Sequence, residues 1–103
     1  MLTVAETEIF TKQEPRYWSH DEHSAFVSFI ASNPEAGEVV PQSGDVRKVR
    51  WSIRGQGKRG GVRVIYFNML ENAKVWLLLI YGKNVKENIP AHVLRRVKEE
   101  LES

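Results

Sequence analysis

Residues 46–81 read VRKVRWSIRGQGKRGGVRVIYFNMLENAKVWLLLIY and combine the strongest strand signals with the densest positive charge of the chain. Between Asp45 and Glu71 there are seven basic residues and no acidic one: Arg47, Lys48, Arg50, Arg54, Lys58, Arg59 and Arg63. A segment that contributes to the core and also carries this much unneutralised charge indicates a surface for an anionic partner. We therefore predict a basic β-hairpin that continues into a buried β-meander.

The periodicity of this stretch predicts its strands. Apolar and polar residues alternate along residues 48–53, so one face packs inward while the other presents Lys48 and Arg50, with Arg54 as a further candidate. The tip, residues 54–61, contains four glycines and is free to adopt positive φ. Residues 62–69 predict the next strand. Residues 74–81 are nearly all apolar, which predicts a central strand covered on both faces.

The flanking segments supply the remaining elements. Residues 7–12 contain β-forming residues and predict a short first strand. Ser19 and Glu22 have capping-box spacing and predict a helix start, and Asn33-Pro34 predicts its end. The apolar stripe of this helix is Ala25, Phe26, Phe29 and Ile30.

A brief helical piece is allowed at residues 34–37, and residues 42–45 predict a turn. Pro90 suits the first turn of a final helix. The apolar face of that helix is Val93, Leu94, Val97 and Leu101. The predicted order is β-α-(α)-β-β-β-α, an α+β fold with a small, largely antiparallel sheet and helices packed on one face.

Length and composition predict one domain spanning residues 1–103. Cysteine is absent, and the three histidines share no metal-ligand spacing, so we expect neither a metal site nor a cofactor. The first ten residues lack the pattern of a secretory signal, and no apolar run approaches the about 20 residues of a membrane span. These features predict a cytoplasmic protein without a membrane partner. Residues 1–45 carry a net charge of −6 and the rest of the chain +8, which favours different partners on different faces.

Four motifs in this order resemble the RelE/HigB superfamily of bacterial type II toxins, and most closely its HigB-like branch. They are the strand RKVRW, the tip GQGKRGG, the strand RVIYF and the segment IYGKNVKENI. NPEAGEVVPQSG also resembles the connector N-P-x-x-G-[DE]-V-I-x-G-[ST]-G of that branch. The resemblance runs from about Glu8 to the final helix and implies a RelE-like fold.

The resemblance also implies a function and partners. Such toxins are ribosome-dependent mRNA interferases, endoribonucleases that inhibit translation by cutting mRNA in the ribosomal A site. The implied partners are the ribosome with its mRNA and a cognate antitoxin, often a helix-turn-helix, HigA-like protein. Operator DNA would be contacted only indirectly, through the antitoxin.

Site residues follow from the matched positions. RNA cleavage by the ribose 2′-hydroxyl needs a base, cations for the phosphate and an acid for the leaving 5′-oxygen. Lys48 and Arg50 match two lysines of RelE, and Arg63 matches the arginine that stabilises the scissile phosphate. RelE has an arginine and a tyrosine after the last strand, where this chain has Asn84 and no tyrosine. Lys83 and Lys86 are the substitutes available here, and Lys86 is a candidate acid or base.

The other cations of the basic stretch are candidate RNA-binding residues: Arg47, Arg54, Lys58 and Arg59. Tyr66 and Tyr81 are interpreted as core or edge aromatics, whereas Trp18 lies outside any apolar period and is a candidate partner contact. Three function classes stay open. They are an RNA-cleaving toxin, a nucleic-acid-binding module without catalysis that uses charge alone, and an inactive toxin relative that binds an antitoxin.

Overall fold

The computed structural model describes residues 1–52, 61–83 and 89–102. The strands are β1 (Thr3–Glu6), β2 (Glu38–Val39), β3 (Arg47–Trp51), β4 (Val62–Met69) and β5 (Lys74–Gly82). The α-helices are α1 (Glu8–Gln13), α2 (His20–Ser32) and α3 (Ala91–Glu102), with 3-10 turns at Glu14–Arg16 and Leu70–Asn72. The strands form one sheet in the order β1-β5-β4-β3-β2. All neighbours are antiparallel except β1, which pairs with β5 in parallel.

The β4–β5 hairpin occupies the middle of this sheet. Its register runs from Val62 opposite Gly82 to Met69 opposite Lys74, with one irregularity between Ile65 and Tyr66. The predicted strands at residues 62–69 and 74–81 are therefore confirmed. Ala73, with φ of 51°, closes the hairpin behind the 3-10 turn.

Helices cover both faces of the sheet. On one face, α1 and α2 contribute Phe10, Phe26 and Ile30 to a core shared with Val64, Tyr66 and Leu77. On the other face, Leu94 of α3 packs with Val46, Ile65, Phe67 and Leu78, flanked by Val97 and Leu101. The α+β class and the mostly antiparallel sheet are confirmed, but the prediction that the helices share one face is wrong. Because β4 and β5 are apolar on both sides, each face needs its own cover.

The strand predicted at residues 7–12 is also wrong, since these residues belong mostly to α1. Thr7 is the N-cap of this helix: its hydroxyl accepts a hydrogen bond from Phe10 N at 3.1 Å and donates one to Leu78 O at 2.8 Å. The first strand lies earlier, at β1. Residues 34–37 form a turn rather than a helical piece, and they lead directly into β2.

The predicted bounds of α2 are confirmed. Ser19 Oγ accepts a hydrogen bond from Glu22 N at 3.2 Å, and Asn33 caps the other end by donating to Phe29 O. The carboxylate of Glu22 accepts a hydrogen bond from Trp51 Nε1 at 3.2 Å, which ties the helix to β3. In the predicted apolar stripes, Ala25 of α2 and Val93 of α3 are exposed instead of packed.

The turn before β3 is held by α3. Gln42, Gly44 and Asp45 have positive φ values of 63°, 77° and 72°. Arg95 donates a hydrogen bond to Gln42 O and Lys98 donates one to Gly44 O. The turn predicted at residues 42–45 is thus present, and the final helix fixes the entry into β3.

A polar cluster joins β1, the first 3-10 turn and α2. His23 Nε2 lies 2.6 Å from Glu6 Oε2, and His23 Nδ1 lies 3.8 Å from Glu14 Oε2. Trp18 stacks on the His23 ring at 5.7 Å and donates its Nε1–H to Glu14. Trp18 is only 6% exposed, so its interpretation as a partner contact is wrong.

Replacement of His23 by Ala should lower the free energy of unfolding by about 1–3 kcal/mol, because the mostly buried Glu6 carboxylate loses its contact with His23 Nε2 and Trp18 loses the ring stacked on it. Urea denaturation at neutral pH measures the difference. His20→Ala, at an exposed position of the same helix, is the matched control and should change stability by less than about 0.5 kcal/mol. Equal stability of the two variants would contradict this role of His23.

Candidate functional site

The register of β2, β3 and β4 brings four charged residues onto one face of the sheet. Arg50 lies directly opposite Arg63, and Lys48 lies opposite Ile65 on one side and Glu38 on the other. Directly opposed residues of an antiparallel pair project to the same side, with Cβ atoms about 4.5–5.5 Å apart. Since Ile65 belongs to the α3 core, these charges share the face that α3 covers further along the sheet.

These residues line one open pocket of about 540 Å³, which we call the cationic pocket. Its lining is Ala36, Gly37, Glu38, Lys48, Val49, Arg50 and Arg63. Three of the five residues predicted to be catalytic therefore meet at one place, although they come from two strands.

The cations of this pocket are accessible to a ligand. Lys48 and Arg50 are exposed and Arg63 is half-buried. Among the described residues, no carboxylate oxygen lies within 4 Å of the charged nitrogens of these three side chains. Arg63 Nη1 lies 3.5 Å from Val62 O, at the outer limit of a hydrogen bond. Three clustered cations of this kind have the charge and the hydrogen-bond donors that anions such as phosphate prefer.

One wall of the pocket is formed by residues 34–37, from the first part of the connector motif, which we call the connector from here on. Hydrogen bonds from side chains of the sheet hold these residues in place. The Tyr66 hydroxyl donates to Pro34 O at 2.8 Å and accepts from Gly37 N at 2.9 Å. Asn68 Nδ2 donates to the same Pro34 carbonyl at 2.9 Å. These hydrogen bonds fix the backbone that leads into Glu38.

Glycine is required at position 37 by close contact with β3. A Cβ on Gly37 would lie 2.7 Å from Lys48 O and 3.0 Å from the Tyr66 ring. Arg47 completes the arrangement, because its Nη1 donates to Gly37 O at 2.7 Å. The structure thus places the predicted RNA-binding residue Arg47 against the connector.

The remaining predicted site residues are not brought into the cationic pocket by the described part of the structure. Lys83 is exposed and follows the end of β5, two positions beyond Tyr81, which pairs with Arg63. Arg54, Lys58, Arg59 and Lys86 lie outside the described residues. In the described ranges, no group of three or more histidine, aspartate or glutamate residues is arranged to hold a metal ion. No helix of these ranges is long and apolar enough to cross a membrane.

Glu38 was missed by the sequence reasoning. Among the described residues that line the cationic pocket, it is the one that carries a carboxylate. The two-residue strand β2 is too short to give a periodic signal. The connector motif offered a signal, since it places an acidic residue directly after its glycine, but only the strand pairing shows that this position faces Lys48.

Gly37→Ala should displace the connector and lower the free energy of unfolding by about 1–3 kcal/mol, as overpacking typically does. Gly82→Ala is the matched control, because a Cβ there meets the Tyr17 ring at an ordinary 3.5 Å. Chemical denaturation compares the two variants. If both were equally stable, the close contact at Gly37 would not constrain the connector.

Tyr66 should make stability depend on pH under alkaline conditions. Burial raises the pKa of the Tyr66 hydroxyl above its ordinary value of 10.0, although the Gly37 hydrogen bond and the Arg47 charge act in the opposite direction. Above pH 10.0 the Tyr66 hydroxyl of the unfolded chain loses its proton while that of the folded chain still retains it. The free energy of unfolding therefore falls as pH rises.

We therefore expect Tyr66→Phe to be less stable than the parent by about 1–3 kcal/mol at neutral pH. This gap should narrow above pH 10.0, because the phenylalanine has no proton to retain. Denaturation of both proteins along a pH series measures the gap, with Tyr17→Phe as the control. A gap that stays constant with pH would contradict a buried, neutral Tyr66.

The chain was compared with known protein families, and no family model matches it. The function of the chain is therefore inferred from the cationic pocket and from the resemblance of its sequence motifs to the RelE/HigB superfamily.

Proposed function

We propose that this chain is the toxin of a type II toxin–antitoxin system, a ribosome-dependent mRNA endoribonuclease that inhibits translation. The observation that supports this proposal is the meeting of Lys48, Arg50 and Arg63 in one open pocket. These are the positions at which the RelE/HigB resemblance expects catalytic residues. Lys48 and Arg50 are exposed, Arg63 is half-buried, and no described carboxylate oxygen lies within 4 Å of their charged nitrogens, which suits an anionic substrate.

The proposed reaction uses the ribose 2′-hydroxyl of the mRNA as nucleophile. The oxygen attacks the adjacent phosphorus, and negative charge accumulates on the pentavalent phosphate before the 5′-oxygen leaves. Preorganised cations aimed at this charge lower the barrier more than they stabilise the substrate. Arg63 and Arg50 are assigned to the non-bridging oxygens, since guanidinium groups bind phosphate in a bidentate manner and stay charged.

The dimensions of the pocket suit such a substrate. A volume of about 540 Å³ lies within the range of about 300–1,000 Å³ that is typical of ligand sites. The pocket is open, and Lys48 and Arg50 on β3 are exposed, so a strand of RNA can place one phosphate between the cations. Lys48, which lines the pocket, is a candidate for the acid that protonates the 5′-oxygen, and so are Lys83 and Lys86.

The proposal includes partners and a compartment. The toxin would act in the cytoplasm on mRNA that is bound to the ribosome. A HigA-like antitoxin would restrain it and would alone contact operator DNA. Because no described carboxylate forms an ion pair with the cations of the pocket, an antitoxin that covers them with acidic side chains is one way to block the site.

The second candidate is a non-catalytic module that binds RNA or the ribosome through charge. It is favoured by the same pocket, since phosphate binding alone requires cations and no proton transfer. An inactive relative that only binds its antitoxin is the third. Substitution of Arg63 distinguishes the endoribonuclease from the non-catalytic module, because catalysis depends on the guanidinium geometry whereas simple binding depends on charge.

Arg63→Ala should abolish growth arrest and mRNA cleavage in a bacterial host that expresses the chain alone. We expect cleavage to fall by about 10²–10³-fold, the usual effect of removing one group that stabilises a transition-state oxyanion. Mapping of mRNA 5′ ends by primer extension measures it. Arg16→Ala, at an exposed cation of the first 3-10 turn, should cleave like the parent.

Arg63→Lys refines this experiment. The endoribonuclease reading expects the lysine variant to remain strongly impaired, because one ammonium group does not replace a bidentate guanidinium. Arrest without new 5′ ends, retained by Arg63→Lys, would favour the non-catalytic module. A folded parent protein that causes no arrest would contradict the toxin reading.

A further inference from the structure

Glu38 differs chemically from the other charged residues of the cationic pocket. Arg50 and Arg63 carry guanidinium groups, which do not deprotonate in proteins, and Lys48 carries an ammonium group without a lone pair. A carboxylate is ionised at neutral pH and offers only acceptor oxygens. Of the described side chains that line this pocket, only Glu38 therefore offers a proton acceptor in its ordinary charge state.

Its carboxylate is also available. Glu38 is exposed, and no Lys, Arg or His nitrogen of the described residues lies within 4 Å of its oxygens. It lies directly opposite Lys48 in the β2–β3 ladder, so both side chains project to the face that carries Arg50 and Arg63. The Glu38 carboxylate thus lies beside the cations, and no described residue forms an ion pair with it.

The backbone at Glu38 is fixed. The preceding residue, Gly37, is hydrogen-bonded through its N–H to Tyr66 and through its carbonyl oxygen to Arg47. Glu38 itself pairs with Lys48 across the sheet. A catalytic group gains from such support, because a displacement of about 1 Å is enough to impair catalysis.

We propose that Glu38 is the general base that removes the proton of the attacking 2′-hydroxyl. This proposal depends on the function proposed above and specifies its chemistry. As the bond between the 2′-oxygen and phosphorus forms, the carboxylate takes the proton, and the bond from phosphorus to the 5′-oxygen breaks. The 5′-oxygen takes a proton from the ammonium group of Lys48. The products are a 2′,3′-cyclic phosphate and a 5′-hydroxyl, and exchange with water restores both side chains.

Charge alone predicts the opposite effect of replacing this residue. Glu38→Gln removes a negative charge from beside three cations, so a site that only binds RNA should bind it more tightly. A general base should instead lose rate while binding is kept or strengthened. A lower cleavage rate with unchanged or tighter RNA binding therefore indicates a catalytic role, whereas tighter binding without loss of rate indicates a purely electrostatic one.

The test uses the purified chain with ribosomes programmed with an mRNA, measuring kcat and KM across a pH series. We expect Glu38→Gln to lower kcat by about 10²–10⁴-fold, to leave KM equal or lower, and to abolish the acidic limb of the pH–rate profile. Glu38→Asp should recover part of the rate. Glu35→Gln, at an exposed acid of the connector that does not line the cationic pocket, is the matched control and should behave like the parent.

Each other outcome overturns the proposal in a recognisable way. If the parent cleaves and Glu38→Gln cleaves equally fast, Glu38 is not the base. If Glu38→Gln loses rate but keeps the acidic limb, its role is only to position other groups. If the parent protein, shown to be folded by its thermal melting, cleaves no mRNA at all, the proposed function fails and this proposal fails with it.

Discussion

The structure depends on the need to bury both faces of the β4–β5 hairpin. Val64 and Leu77 point into the core formed with α1 and α2, while Phe67 and Leu78 point into the core formed with α3. A strand pair that is apolar on both sides is unstable until each face is covered. The helices therefore pack on opposite faces, and β3, with the cationic pocket, lies on the outer side of this central pair.

The pocket itself opposes stability. Arg50 and Arg63 face each other directly across the β3–β4 ladder, and like charges at such positions are destabilising. The ladder nevertheless forms because Val49 and Val64, which alternate with them, are buried on the opposite face. Residues that violate a local stability rule while the surrounding structure holds them in place are typical of functional sites.

Much of the fold was predictable from local patterns, and the rest depended on tertiary contacts. Alternation located β3, the nearly continuous apolar run located β5, and the Ser19 cap and Asn33-Pro34 bounded α2. The strand predicted at residues 7–12 is wrong because the helix cap at Thr7 outweighs the β propensity of these residues. Lys48, Arg50 and Arg63 were singled out by the basic stretch, the family resemblance implied catalytic roles for them, and the strand register accounts for their meeting. Glu38 was not predicted as a site residue, because a two-residue strand is too short to show a periodic pattern. Its pairing with Lys48 is visible only in the folded structure.

The proposed function requires that an RNA phosphate binds between Lys48, Arg50 and Arg63. NMR titration of the isotopically labelled chain with a short single-stranded RNA tests it most directly. Binding in the pocket should shift the side-chain signals of Arg50 and Arg63 and the amide signal of Gly37, and added salt should weaken all of these shifts. Shifts confined to the basic surface of α3, at Arg95 and Arg96, with the pocket signals unchanged, would contradict it.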